Sequence, residues 1–253
     1  MEISARWGGT KSDLTPDEAF LTLYSDLARE GPGAAADLGW ALSVAATPAE
    51  ARICDAGCGS GADTVTLAKE RPRARIEAVD QIAQFVAAAQ KRTAPFGDRV
   101  QVRQGDMAKL TGPYDLIWCA GAVYFLGITE ALRLWRGALA PGGAVAFSEP
   151  CLLPRPSAAA RAFWAEYPQI TDVAGIRARV AAAGFRVLGE QMQIGAAWEA
   201  YYTPMSKRIA SLRPSATGVL AEALDEAEQE IARWKAAPSE IAYALMVVAP
   251  IDG

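Results

Sequence analysis

The chain predicts an α/β protein with a doubly wound, mostly parallel sheet. Three observations carry that prediction. Short apolar runs alternate with helical segments from Arg52 onward. Glycines fall at every second position after the first run, at Gly57, Gly59 and Gly61. Acidic residues, Asp55 and Asp80, stand at or near the ends of the first two runs.

Taken in order, the chain opens with helices. Thr15-Pro16-Asp17-Glu18 is a capping box with proline at the first helical position. Phe20, Leu23, Tyr24 and Leu27 follow at helical spacing, which predicts an amphipathic helix over Thr15 to Arg29. Glu30-Gly31-Pro32-Gly33 ends it. A second helix, about Ala34 to Ala46, stops at Thr47-Pro48. Helices placed before the first strand suit either a lid over a site or plain packing. Ile53 and Cys54 close an apolar run that suits a buried parallel strand. The glycines then turn the chain into a helical segment, Thr64 to Glu70, stopped by Pro72. Ile76 to Asp80, Val100 to Gln104, Tyr114 to Cys119 and Ala144 to Ser148 are further strands. Helical patterns separate them, around Phe85 and Val86 and around Leu132 and Trp135. Connections of this length imply right-handed crossovers.

After Ser148 the pattern loosens. Ser157 to Glu166 reads as helix, broken by Pro168, and Thr171-Asp172 can cap another helix ended by Gly184. Phe185 to Leu188 begins the sixth strand, and Tyr243 to Ala249 is the last. The stretch between them is too long for an ordinary connection. It holds Trp198, Tyr201 and Tyr202, a Thr203-Pro204 pair expected to turn the chain back, and a helix over about Ser215 to Lys235. The expected organisation is one structural domain in four parts. These are an N-terminal helical lid over 1–50, an α/β core over 51–194, a helical insertion over 195–240 and the last strand over 241–253.

Composition narrows the partners. Acidic residues exceed basic ones, 29 to 25, and the six lysines are scattered, so no basic track suits a nucleic acid. The N-terminus, with Glu2, Arg6 and Trp7-Gly8-Gly9, has no signal-like apolar core, and no apolar run is long enough to span a membrane. The four cysteines, Cys54, Cys58, Cys119 and Cys151, form no C-x-x-C pair, so no metal site is expected. Reduced thiols in a cytoplasmic protein are the simplest reading. The chain has no histidine, which excludes imidazole as a base.

A glycine-rich turn between a strand and a helix is a natural ligand site. A dinucleotide fingerprint would put its third glycine where this chain has Ala62. Asp55 is the stronger clue: a carboxylate at the strand end suits a cationic amino group and repels a pyrophosphate. An acid such as Asp80 accepts ribose hydroxyls in either case, so it does not discriminate.

Asp55-x-Gly57-x-Gly59-x-Gly61 resembles the first motif of class I S-adenosylmethionine (SAM) methyltransferases. The order of elements from Ala51 to Ala249 also resembles that Rossmann-like fold. Further matches are Asp80, Gly105-Asp106-Met107, Tyr114-Asp115-Leu116-Ile117 and Pro141-Gly142-Gly143. The flanking Glu30-Gly31-Pro32-Gly33, Gly121-Ala122-Val123-Tyr124, Ser148-Glu149, Tyr167-Pro168-Gln169-Ile170 and Trp198 to Pro204 look like a bacterial group of small-molecule methyltransferases, with Ala34 where that group would carry serine. The resemblance implies seven strands, the last inserted antiparallel beside the sixth, with SAM as cofactor and S-adenosylhomocysteine (SAH) as product.

The same resemblance implies site roles. Asp55 would hold the SAM amino group, directly or through water. Gly57, Cys58, Gly59 and Gly61 would carry the turn beside the methionyl part. Asp80 would take the ribose, with Gln81 or Ile82 against the adenine. Asp106 would accept from the adenine amino group and Met107 would pack on the ring. Ala120 and Gly121 follow the fourth strand, where the methyl group should sit; the base-modifying Asn/Asp-Pro-Pro-aromatic pattern is absent there. The substrate-side candidates are Tyr124, Glu149, Trp164, Trp198, Tyr201 and Tyr202, with Glu149 or Tyr124 as candidate base. For each aromatic the alternative is core packing. An aromatic wall fits an apolar or cationic small molecule. Two rivals remain: a non-catalytic SAM-binding protein, and a nicotinamide oxidoreductase, for which a Tyr-x-x-x-Lys pair is missing. The oligomeric state is open between monomer and homodimer.

Overall fold

A computed structural model describes residues 14–251. The N-terminal residues read above, from Glu2 to Lys11, lie outside that range. The capping box forms as the sequence predicts: Thr15 accepts from the Glu18 amide while Glu18 reaches back to the Thr15 amide. It starts α1, Pro16–Tyr24, which is shorter than the expected Thr15 to Arg29. The helix stops early because Ser25 is extended and Asp26 has a φ of 67°. α2 spans Ala35–Val44. Ala34 has no side chain to cap it, and Asp37 instead accepts from the Ala34 amide at 2.8 Å.

The core alternates as expected: β1 Arg52–Ala56, α3 Ala62–Glu70, β2 Arg75–Asp80, α4 Ala83–Thr93, β3 Val100–Gln104, β4 Tyr114–Cys119, α5 Ile128–Trp135 and β5 Leu139–Leu152. Next come α6 Ala158–Phe163, β6 Thr171–Asp172, α7 Val173–Ala182, β7 Phe185–Ile194, α8 Ala196–Leu212, α9 Gly218–Ala236 and β8 Ile241–Pro250. The sheet order is β3-β2-β1-β4-β5-β8-β7. The strand expected as the sixth is therefore β7. β8 runs antiparallel between β5 and β7, and the β1 to β5 pairings are parallel. The two-residue β6 pairs with β5 outside this path. It was legible only as a helix cap, and Asp172 does accept from the Gly175 amide.

Two corrections matter for function. β5 extends to Leu152 rather than ending near Ser148, because β8 supplies partners, Val248 to Ile241, for Val145 to Leu152. Glu149 thus sits inside a strand. Second, Thr203-Pro204 does not turn the chain. Pro204 lies within α8, where a proline costs about 3 kcal/mol. Trp198, Tyr201, Tyr202, Met205 and Ile209 are all buried on one helical face, and that burial outweighs the missing hydrogen bond.

The core has three main clusters. Each face of the sheet carries one, centred on Trp135 and Phe147 on one side and on Leu116 and Trp118 on the other. The third joins α1, α6, α8 and α9 around Trp198 and Leu224, beyond the carboxyl ends of the parallel strands.

Candidate active site

Gly57 and Gly59 turn the chain with positive φ, 75° and 52°. A Cβ at Gly57 would lie 2.7 Å from the Ala122 Cβ, and one at Gly59 would collide with the Glu30 carboxylate. The backbone must pass bare here for the turn to lie against its neighbours. Gly61 plays another part. A Cβ there would sit 2.9 Å from the Ala89 Cβ, so this glycine lets α3 pack on α4 and does not line the cavity.

The turn is cross-braced. Asp80 accepts from the Gly59 amide at 2.9 Å through one oxygen and from the Ile82 amide at 2.8 Å through the other. Each oxygen keeps a lone pair for a further donor. Arg29 donates to the Gly31 and Gly33 carbonyls, both at 2.6 Å, and to Asp63 at 3.3 Å. Arg92 of α4 donates to the Ala28 carbonyl and the Ser60 hydroxyl, both at 2.7 Å. The segment after α1 is thereby tied to the glycine turn. Glu30, on that segment, accepts from the Ser60 amide at 3.1 Å, while its other oxygen is buried without a partner. Burial raises its pKa.

Asp55 is 2 % exposed and accepts from the Thr64 hydroxyl at 2.6 Å. Burial, with Asp63 nearby, pushes its pKa up to about 8. A carboxyl held near neutrality in this way favours a neighbouring cation, which would stabilise its charged form. Cys58 is buried too, and burial drives its thiol pKa upward, so it is not a reactive thiolate.

One cavity of about 730 Å³ runs from this turn outward. Asp55, Gly57, Cys58, Gly59, Asp80, Gln81, Ile82, Met107, Ala120 and Gly121 line one end. Tyr124, Trp164, Trp198 and Tyr201 line the other. Besides Gly61, three expected residues do not line it. Asp106 caps the short turn after β3, accepting from the Ala108 amide at 2.8 Å. Tyr202 is 2 % exposed, packs on Trp198 and Trp234, and donates to Glu230 at 2.6 Å. Glu149 is buried in β5 with Arg179 3.7 Å away, and burial raises its pKa to about 7. As a base it has no direct access to the cavity.

The cavity also gathers residues given no role from sequence. Glu30 and Tyr167 lay within the flanking motifs. Phe20, Tyr24, Phe163, Glu230, Arg233 and Tyr243 read only as periodic helix or strand positions. Tyr24 and Tyr201 bond through their hydroxyls at 2.8 Å. This joins α1 to α8 across 177 positions of sequence, a contact no local pattern signals. No group of metal-ligating side chains occurs among the described residues.

Comparison with known proteins agrees with this geometry. A family profile described as a methyltransferase domain matches residues 53–143. A trans-aconitate 2-methyltransferase of Deinococcus radiodurans is 34% identical over 102 residues, 40% of this chain and 38% of that protein. An uncharacterised protein of Synechococcus sp. is 41% identical over 98 residues, 36% of this chain and 24% of that one. The match thus spans well under half the length of either relative. A SAM-dependent methyltransferase of Geobacter sulfurreducens, solved with SAH, superposes with a TM-score of 0.80 at 20% identity, covering 94% of this chain and 99% of that one. Residues 53–143 thus match a methyltransferase domain, and the chain as a whole shares the fold of the SAH-bound Geobacter protein.

Proposed function

We propose that the protein is an enzyme that transfers a methyl group from SAM to a small molecule. The observation that carries this reading is the single cavity with two unlike ends. One end has the bare glycine backbone and two carboxylates, and the other is walled by aromatic rings. A cofactor and its acceptor would meet between them, near Ala120 and Gly121. The likenesses to trans-aconitate methyltransferases and to the SAH-bound Geobacter structure support the cofactor and an acceptor of small-molecule size. The excess of acidic residues favours a small acceptor over a nucleic acid. No helix among the described residues is long and apolar enough to cross a membrane, which fits a cytoplasmic enzyme.

The residues suit the cofactor. Asp80 would take the ribose hydroxyls on its remaining lone pairs, and Asp55 would face the amino group, directly or through water. The bare turn at Gly57 and Gly59 would let the methionyl part lie against backbone, and Met107 would pack on the adenine. Bound SAM supplies a methyl on a sulfonium, whose loss leaves a neutral thioether. The protein's task is then alignment, worth roughly 7–11 kcal/mol of a barrier when nucleophile and methyl are held in line. In this reading α1 and the segment to Gly33 form a lid over the 51–194 core. Residues 195–240 close the acceptor side, and β8 completes the sheet. Incubation with labelled SAM and a pool of small metabolites tests the proposal. Label should appear in one acceptor. SAH binding without any transfer would leave a binding protein instead.

A further inference from the structure

The acceptor end of the cavity carries a charge that the shared methyltransferase parts do not need. Glu230, on α9, lines the cavity among aromatic rings. Its Oε1 accepts from Tyr202 at 2.6 Å, which fixes the carboxylate in place. Among the described residues no lysine or arginine forms an ion pair with it. Arg233 lines the same end, but it faces Glu166 at 3.9 Å, with side chains 40% and 85% exposed. The Arg233 Nε is buried without a partner, but Glu166 lines the same end, so the three charges together leave one net negative charge. Glu230 is then the uncompensated charge of the chamber. Trp164, Trp198 and Tyr243 stand around the same space with ring centroids 5.0–6.1 Å apart. Indole and phenol faces attract cations, most strongly where water is excluded. The negative field of Glu230 reaches Tyr24, Tyr124, Tyr201 and Tyr243, each of whose pKa values it helps to raise.

We infer that the acceptor is a small amine, cationic at neutral pH, held by Glu230 against the faces of Trp164, Trp198 and Tyr243. The inference rests on the methyltransferase reading and adds the substrate class. A polycarboxylate is disfavoured, because its charges would meet Glu230 with only the engaged Arg233 to offset it. The chemistry balances. An ammonium first gives one proton to Glu230 or to water. The freed nitrogen lone pair bonds to the methyl carbon as the C–S bond breaks, and that electron pair stays on sulfur. The products are a methylated ammonium and neutral SAH.

The test uses the full chain saturated with SAH and a matched pair of probes. Choline and 3,3-dimethylbutan-1-ol have the same shape, but only choline carries a positive charge. Calorimetry or tryptophan fluorescence should show choline binding at least about tenfold tighter than the alcohol. trans-Aconitate should bind more weakly than choline. In Glu230→Gln the preference for choline should fall severalfold, and Glu230→Asp should restore part of it, with SAH affinity unchanged in both. Equal binding of the two probes, tighter trans-aconitate, or an intact preference in Glu230→Gln would overturn the inference while leaving the methyltransferase reading standing. Failure of the wild-type protein to bind SAH would remove both.

Discussion

The two ends of the cavity are built by different means. The glycine turn is one short stretch between β1 and α3, braced by Asp80 from the neighbouring strand. Its shape is set by backbone conformation and by the absence of side chains. The acceptor end draws on α1, α6, α8, α9 and β8, and its shape is set by how large rings meet. The first surface is made by local rules and tolerates little change. The second is assembled from side chains that are also core, so its residues serve packing and recognition together.

Variants can separate these roles. The largest expected effect is at Tyr202, which is core despite its place beside Tyr201. Tyr202→Ala should cost about 3–5 kcal/mol of stability, as for other buried aromatic truncations, and lower the midpoint of denaturant unfolding accordingly. Little change in that midpoint would mean that the α8–α9 seam is looser than its packing implies.

Asp55→Asn should also act on stability, with a pH signature. The Asp55 carboxyl, raised to about 8 from 3.8, keeps in the folded protein a proton that the unfolded chain gives up. Stability from this group is therefore complete at acid pH and is lost as pH rises from about 4 to 8. Asn has no such loss and still accepts from Thr64. The variant should gain on the ligand-free wild type as pH rises, by the order of a few kcal/mol at pH 8. Parallel melting curves at pH 5 and pH 8 would contradict the burial argument.

Asp80→Ala should leave the fold intact and weaken SAH binding by about 1.5–3 kcal/mol, the range for hydrogen bonds to a charged group. Tyr201→Phe should be smallest. It removes the bond to Tyr24 and should cost about 0.5–1.5 kcal/mol of stability, with SAH affinity unchanged. A fall in SAH affinity at Tyr201 would erase the distinction between the two ends.

The same contrast explains what could be read from the sequence. Asp55, Gly57, Gly59 and Asp80 sit in a fixed local spacing, and the structure brings them to one end of one cavity. The antiparallel insertion of β8 beside β7 was implied by the family resemblance, while the order of the other strands came only from the structure. Tyr24, Tyr243 and Glu230 could not be read so. Each is an ordinary position in an amphipathic helix or apolar strand, and only tertiary packing brings them together. Glu149 misled because the length of β5 depends on pairing with β8, nearly a hundred residues later. Pro204 misled because the local signal for a turn lost to the burial of α8.

The central claim is that the glycine turn and its acids form a SAM site. Its most direct measurement is calorimetric titration of SAH and of NAD into the wild-type protein and Asp80→Ala. The account predicts one SAH per chain, binding to Asp80→Ala weaker by about tenfold or more, and no detectable heat from NAD. NAD affinity equal to that of SAH, or an unchanged SAH dissociation constant in Asp80→Ala, would contradict it.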